Sequence, residues 1–330
     1  RAHLRLALLR KLRLVPHPLP ADDPWPTPLE WHLEHPSLRN AGSPAWDTRF
    51  WSLLTLLAGC TDAPAVAFRQ AVHDLVLPAH QFDAEVLSAF PALRSIAIAG
   101  PTHAPGPLSL GLSGRTIDRV RIGHGSEPLD VAGLPRCRVL VVAWRTLEGS
   151  LLDLPLEELC LFTRQPSDLE PFRGHPSLVR LGVSCGGYRH AEAEMDRLET
   201  LPALRSLTVP FSADHLLGAL HRLPQLTTVD LKVGPLDLDA LRDLPNLTHL
   251  RLRVGQEGFP PLSTMGPLPI RTLRTDFDPT PADIAAIDAL PNLTHWALDH
   301  VEPTHPLPDR LQAMLDDPSP LPTDTAVLEA

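Results

Sequence analysis

The stretch from Leu201 to Val254 contains LPALRSLTV, LPQLTTVDLKV and LPNLTHLRLRV at near-constant spacing. Each copy sets apolar residues in the frame L-x-x-L-x-L: Leu204, Leu207, Val209; Leu226, Val229, Leu231; Leu247, Leu250, Leu252. Self-similarity at a period of roughly 20 to 30 residues marks a repeat architecture. One such unit cannot bury its apolar face alone, so its neighbours must stack on it.

The frame can be followed from residue 72. Its first apolar position falls at Val72, Leu93, Ile117, Cys137, Leu156, Leu178, Leu204, Leu226, Leu247, Ile270 and Leu293. Its second falls at Leu75, Ile96, Val120, Leu140, Leu159, Leu181, Leu207, Val229, Leu250, Leu273 and Trp296. Steps between neighbouring copies run from 19 to 26 residues. The short apolar run alternates at its end, which predicts a strand with one buried face. An apolar residue followed by proline stands before most strands, as in Phe90-Pro91, Leu134-Pro135, Leu201-Pro202, Leu223-Pro224, Leu244-Pro245 and Leu290-Pro291. Proline there ends a preceding helix and turns the chain. Helices are expected over 83–89, 192–200, 213–222, 238–244 and 281–290. Residues 99–114, rich in Gly and Pro, predict a loop or a unit without a helix.

These units stack into an α/β architecture: a parallel sheet on one side and helices on the other. A row of helices is wider than a row of strands, so the stack is expected to curve with the sheet on the concave side. The domain plan is a Pro- and Trp-rich N-terminal cap over 1–65 and about eleven repeats over 66–300. A C-terminal cap over 301–316 and a disordered tail over 317–330 complete it. The chain begins at Arg1 without methionine, which points to processing or, preferably, to a piece of a longer protein.

Composition narrows the function. The formal net charge is -10, against the cationic excess of a general nucleic-acid binder. Only Lys11 and Lys232 are lysines, and with 38 prolines this suggests a high-GC genome. No apolar run reaches the ~18 residues of a membrane span. Cys60, Cys137, Cys160 and Cys185 form no C-x-x-C and no terminal cluster, which favours a reducing, cytoplasmic location.

The L-x-x-L-x-L cores, their spacing and the Leu-Pro turn before each strand resemble the leucine-rich repeat family over roughly residues 70–300. The resemblance implies a curved solenoid that binds partners on its concave sheet. One feature departs from the family: its usual asparagine, three residues after the last leucine of the core, is replaced at Pro101, Gly234, Gly255 and Val301. The backbone ladder must therefore be supported otherwise. In bacteria of this composition, similar arrays also form the sensing end of larger signalling NTPases of the NACHT (STAND) type.

On the concave side the third, fifth and seventh positions of each strand face outward. Early strands present small or apolar residues there: Ser95, Ala97, Ala99; Val139, Val141, Ala143. Later strands present charge: Asp230 and Lys232; His249, Arg251 and Arg253; Arg274 and Asp276; His295 and Asp299. Neighbouring strands lie about 4.8 Å apart, so Asp230, Arg251 and Arg274 should form one row across the sheet. Lys232, Arg253, Asp276 and Asp299 should form another. Two readings stay open: salt bridges that satisfy one another, or an anchor for an acidic or phosphorylated protein partner. The second predicts that Arg251→Glu with Arg274→Glu abolishes binding and leaves the fold intact. No P-loop, G-x-G-x-x-G, nucleophile elbow or H-E-x-x-H occurs. No enzyme activity, cofactor or metal is expected, and His249 and His295 stand too far apart to share a zinc. The expected function is a non-enzymatic recognition scaffold. The alternative is the ligand-sensing module of a NACHT-type NTPase.

Overall fold

The structure is a computed structural model. It describes residues 58–59, 61, 66–67, 69–70, 72–78, 84–99, 108–123, 128–143, 146–163, 170–185, 191–212, 217–233, 238–254, 262–299 and 301–316. The expected N-terminal cap, apart from a few positions, and the tail over 317–330 lie outside the described residues.

The chain divides into two compact units, Arg1–Leu156 and Glu157–Ala330. In the first, four parallel strands follow chain order: β1 (Asp74–Pro78), β2 (Ser95–Ala99), β4 (Arg119–Ile122) and β6 (Val139–Ala143). A second, three-stranded parallel sheet holds β3 (Leu108–Ser109), β5 (Leu129–Asp130) and β7 (Leu147–Glu148). In the second unit seven parallel strands follow chain order: β8 (Glu158–Thr163), β9 (Arg180–Cys185), β10 (Ser206–Ser212), β11 (Thr228–Val233), β12 (His249–Val254), β13 (Thr272–Thr275) and β14 (His295–Leu298). Each of the eleven frames in the sequence forms one of these parallel strands.

The register carries the frame from strand to strand. Leu207 pairs with Val229, Val229 with Leu250, Leu250 with Leu273, and Leu273 with Trp296. In the first unit Leu75, Ile96, Val120 and Leu140 run in the same way. Every first and second frame position from Val72 to Trp296 is buried. Each fully buried Leu or Ile side chain contributes roughly 1.5–3 kcal/mol. Cys137 fills such a position; burial first, and the nearby Asp118 carboxylate second, push its thiol up to about 12. A thiol held that far up stays protonated and acts as a small apolar side chain.

The Leu-Pro pairs work as turns. The N–H groups of Leu93, Leu204, Leu226 and Leu247 donate to the carbonyls of Phe90, Leu201, Leu223 and Leu244 respectively. Proline thus takes the second position of a four-residue turn, where its fixed φ belongs.

Threonine supports the ladder at the start of three strands. The carbonyl of Arg205 accepts from the N–H groups of both Thr227 and Thr228 and from the Thr227 hydroxyl, at 2.8–3.2 Å. The carbonyl of Thr227 accepts in the same way from Thr248 and His249, and that of Arg271 from Thr294 and His295. Of the four positions lacking asparagine, only Val301 is described.

The segments behind the strands differ more from expectation. Helices form at α1 (Ala84–Ser88), α2 (Ala191–Leu198), α3 (Pro281–Asp288) and α4 (Asp309–Asp316). In the stretch expected as a helix over 213–222, Leu217 is helical and a 3-10 turn follows at Leu220–Arg222; over 238–244 a 3-10 turn at Asp239–Asp243 stands in place of the expected helix. Their repeats span 22 and 21 residues, Leu204 to Leu226 and Leu226 to Leu247, whereas that containing α2 spans 26, Leu178 to Leu204. The Gly- and Pro-rich stretch has no helix among its described residues and contains β3 instead. In the second unit α3 starts with a capping box: Thr280 and Asp283 satisfy each other's backbone N–H groups. Asp283 is buried, and its other carboxylate oxygen accepts from the Leu262 N–H at 2.8 Å. Arg310, at the start of α4, donates to the carbonyls of Asp288, Leu290 and Leu293, closing the last repeat.

Candidate functional site

The open face of each sheet is the one turned away from the leucine core. In the second unit, the register sets Asp230 beside Arg251 and Arg251 beside Arg274, the expected row. Lys232 stands beside Arg253. The ion pairs of 3.1 Å or less, however, run diagonally between those rows. Arg253 forks onto Asp230, its Nε at 3.0 Å from Oδ1 and its Nη2 on Oδ2. Arg251 lies between two carboxylates, Nη2 at 2.7 Å from Asp299 Oδ2 and Nη1 at 3.8 Å from Asp230 Oδ2. Arg274 completes the set with Nε at 3.1 Å from Asp299 Oδ1.

Three arginines and two aspartates thus make one continuous network across β11–β14. Its side chains are only 8–20% exposed. Adjacent arginines need anions between them, and Asp230 and Asp299 supply these from within the chain. Burial pushes the Asp230 carboxyl above its ordinary range, although Arg253, Arg251 and Arg274 pull the other way. Desolvation is the larger effect because Asp230 is nearly enclosed. The Nε of Arg251 is buried without a hydrogen-bond partner.

This geometry corrects one expectation. Arg251→Glu with Arg274→Glu would place two new carboxylates against Asp299 in a half-buried setting. The double change would therefore strain the fold as well as any binding.

The other expected site residues surround the network. Asp276 is turned inward on the backbone, accepting from the Val254 N–H at 2.7 Å. Lys232, His249 and His295 are half-buried on the open face. Each histidine is oriented by the threonine before it: Thr248 Oγ1 lies 2.8 Å from His249 Nδ1, and Thr294 Oγ1 lies 2.9 Å from His295 Nδ1. His249 and His295 flank Thr272 in register, two strands apart. Among the described residues no group of three His, Cys, Asp or Glu could hold a metal ion. Among them too, no helix is long and apolar enough to cross a membrane.

The open face of the first unit holds residues that the sequence map left out. Arg119 and Arg121 take the third and fifth positions of the Ile117 repeat, on β4, and both are exposed. Counting from Ile117 finds them by the same rule that found Arg251.

No family model matches the chain, and no curated protein matches it. Among solved structures it is similar to an internalin from Listeria monocytogenes, at 12% identity and a TM-score of 0.37. That match covers 76% of this chain and 88% of the internalin chain. It is also similar to TLR13 in its complex with ssRNA13, at 15% identity and a TM-score of 0.38, over 71% of this chain and 43% of that one.

Proposed function

We propose that this protein is a non-enzymatic, cytoplasmic recognition scaffold that holds a protein partner on the open face of β11–β14. The observation that carries the reading is the ion-pair network itself. It fixes charged side chains in one geometry and so offers a preorganised polar surface, which lowers the ordering cost of association. Lys232, His249 and His295 border that surface and supply the adaptable contacts. Asp230, Arg251, Arg253, Arg274, Asp276 and Asp299 form its framework. A partner with exposed carboxylates or phosphate suits Lys232, the cation at the border of that framework. The buried thiol of Cys137 supports a reducing compartment.

The test spares the framework. Lys232→Glu with His249→Ala should remove the partner recovered from host lysate on the immobilised wild-type chain, with the circular dichroism spectrum unchanged. Undiminished recovery of the same partner would refute the proposed surface. A role as the sensing end of a NACHT-type NTPase draws on the same face. The mass of the native gene product distinguishes it from a free-standing adaptor.

A further inference from the structure

The first unit's open face has a different chemistry. Arg119 and Arg121 project from the same side of β4, two residues apart, and both are exposed. On one side the register places Ser95 and Ala97 of β2 beside them; on the other, Val139 and Val141 of β6. None of these four can neutralise a guanidinium. Asp74 lies a further strand away, beside Ser95. Asp118 precedes Arg119 but faces Arg138, at 3.4 Å. Neither guanidinium, of Arg119 or of Arg121, makes a hydrogen bond or ion pair with any described residue. Over residues 84–143 six arginines face four carboxylates (Glu85, Asp118, Glu127 and Asp130), in a chain whose net charge is -10. This local excess of positive charge runs against the charge of the whole molecule.

We infer that Arg119 and Arg121 form a docking row for an extended acidic segment of a protein partner, with carboxylates at alternate positions. The spacing carries the choice. Same-face residues two apart on a strand are about 6.7 Å apart, and carboxylates at alternate positions of an extended peptide share that spacing. Such a peptide lying along β4 sets one carboxylate on each guanidinium. Arginine rather than lysine fits this task, because the planar fork meets a carboxylate in two parallel hydrogen bonds. The inference shares with the proposed function only the premise that the chain recognises proteins, and it concerns a different unit and different residues.

The experiment measures binding of a fluorescein-labelled Glu-Val-Glu-Val-Glu peptide to the whole chain by fluorescence polarisation at low salt. Glu-Glu-Glu-Val-Val and oligouridine serve as comparison probes. The alternating peptide should bind more tightly than either. Arg119→Ala or Arg121→Ala should each weaken it by up to about fivefold, the worth of one exposed ion pair. Arg119→Glu with Arg121→Glu should abolish binding, and added salt should weaken it. Both positions are exposed, so circular dichroism should confirm an unchanged fold. Lys232→Glu with His249→Ala should leave peptide binding unaltered. The inference is overturned if the alternating peptide does not bind, if the clustered peptide binds equally well, if the double charge reversal has no effect, or if oligouridine binds more tightly. Loss of this row alone would leave partner capture by the second unit standing.

Discussion

Two open faces, each carrying arginines on parallel strands, come out differently in the two units. In the second, Arg251, Arg253 and Arg274 lie among Asp230 and Asp299 and are closed into a half-buried network. In the first, Arg119 and Arg121 lie among Ser95, Ala97, Val139 and Val141 and remain exposed. The strand geometry is the same; what differs is the residue one repeat away. A cation on such a sheet becomes framework when the adjoining repeats bring carboxylates, and remains available when they bring valine or alanine. The backs of the units differ too. Besides α1 and a 3-10 turn at Val131–Gly133, the first has the short strands β3, β5 and β7, in repeats that include the shortest, Ile117 to Cys137 and Cys137 to Leu156. The second closes with helices and 3-10 turns.

The largest break in this comparison should come from Asp299→Ala. It strips Arg251 and Arg274 of the carboxylate they share, and removing one member of a buried ion pair costs about 3–5 kcal/mol. Arg119→Ala with Arg121→Ala should change stability by no more than about 0.5 kcal/mol, as surface substitutions do. Urea unfolding of the two variants checks both; equal losses would erase the distinction.

The back of the first unit offers a test of middle size. Gly149, just after β7, has φ +107, and a Cβ there would lie 2.6 Å from Val131 Cγ2. Gly149→Ala should cost about 1–3 kcal/mol through backbone strain alone, before any clash. A variant as stable as wild type by thermal unfolding would show that the close approach of the back turns is not needed.

The smallest effect sharpens the account of the network. Asp230→Asn keeps an acceptor at the place where Arg253 forks onto the carboxylate. Asp230→Asn should cost less than about 1.5 kcal/mol, because the amide oxygen still accepts from Arg253. Asp230→Ala, which leaves Arg253 and Arg251 without that acceptor, should cost more. The pH dependence follows in sign. A carboxyl raised in the folded state favours the fold once protonated, so the Asp230 contribution grows as pH falls through its folded value. Glu199, held low chiefly by its hydrogen bond from Arg222, acts the opposite way. Asp278 does too, held low by the Thr304 hydroxyl and backbone N–H. Their contributions are present above the ordinary carboxylate range and disappear as pH falls through their depressed values. Carboxylate NMR titration of wild type and Asp230→Asn separates these signs.

The strands were legible because leucine-frame burial is a repeated local signal: eleven frames gave the buried positions from Val72 to Trp296 and the register between Asp230, Arg251 and Arg274. The backs were less so. A one-turn 3-10 segment such as Asp239–Asp243 and a short α-helix bury the same apolar spacing. A two-residue strand such as Leu108–Ser109 is too short to show any period. The diagonal pairings were out of reach for a different reason. Register fixes which Cα atoms adjoin, but the length and rotamer of an arginine decide whether it reaches across or along. Arg253 therefore meets Asp230, two positions back on the neighbouring strand, and not a residue in its own row. Arg119 and Arg121 were within reach, since the frame beginning at Ile117 already placed them on the open face.

The most direct measurement is site-resolved modification of the folded chain with phenylglyoxal, an arginine-specific dicarbonyl, read by peptide mass mapping over time. The account predicts rapid modification of Arg119 and Arg121, and protection of Arg251, Arg253 and Arg274 until the chain unfolds. Similar rates at all five arginines would contradict the division between available and framework cations.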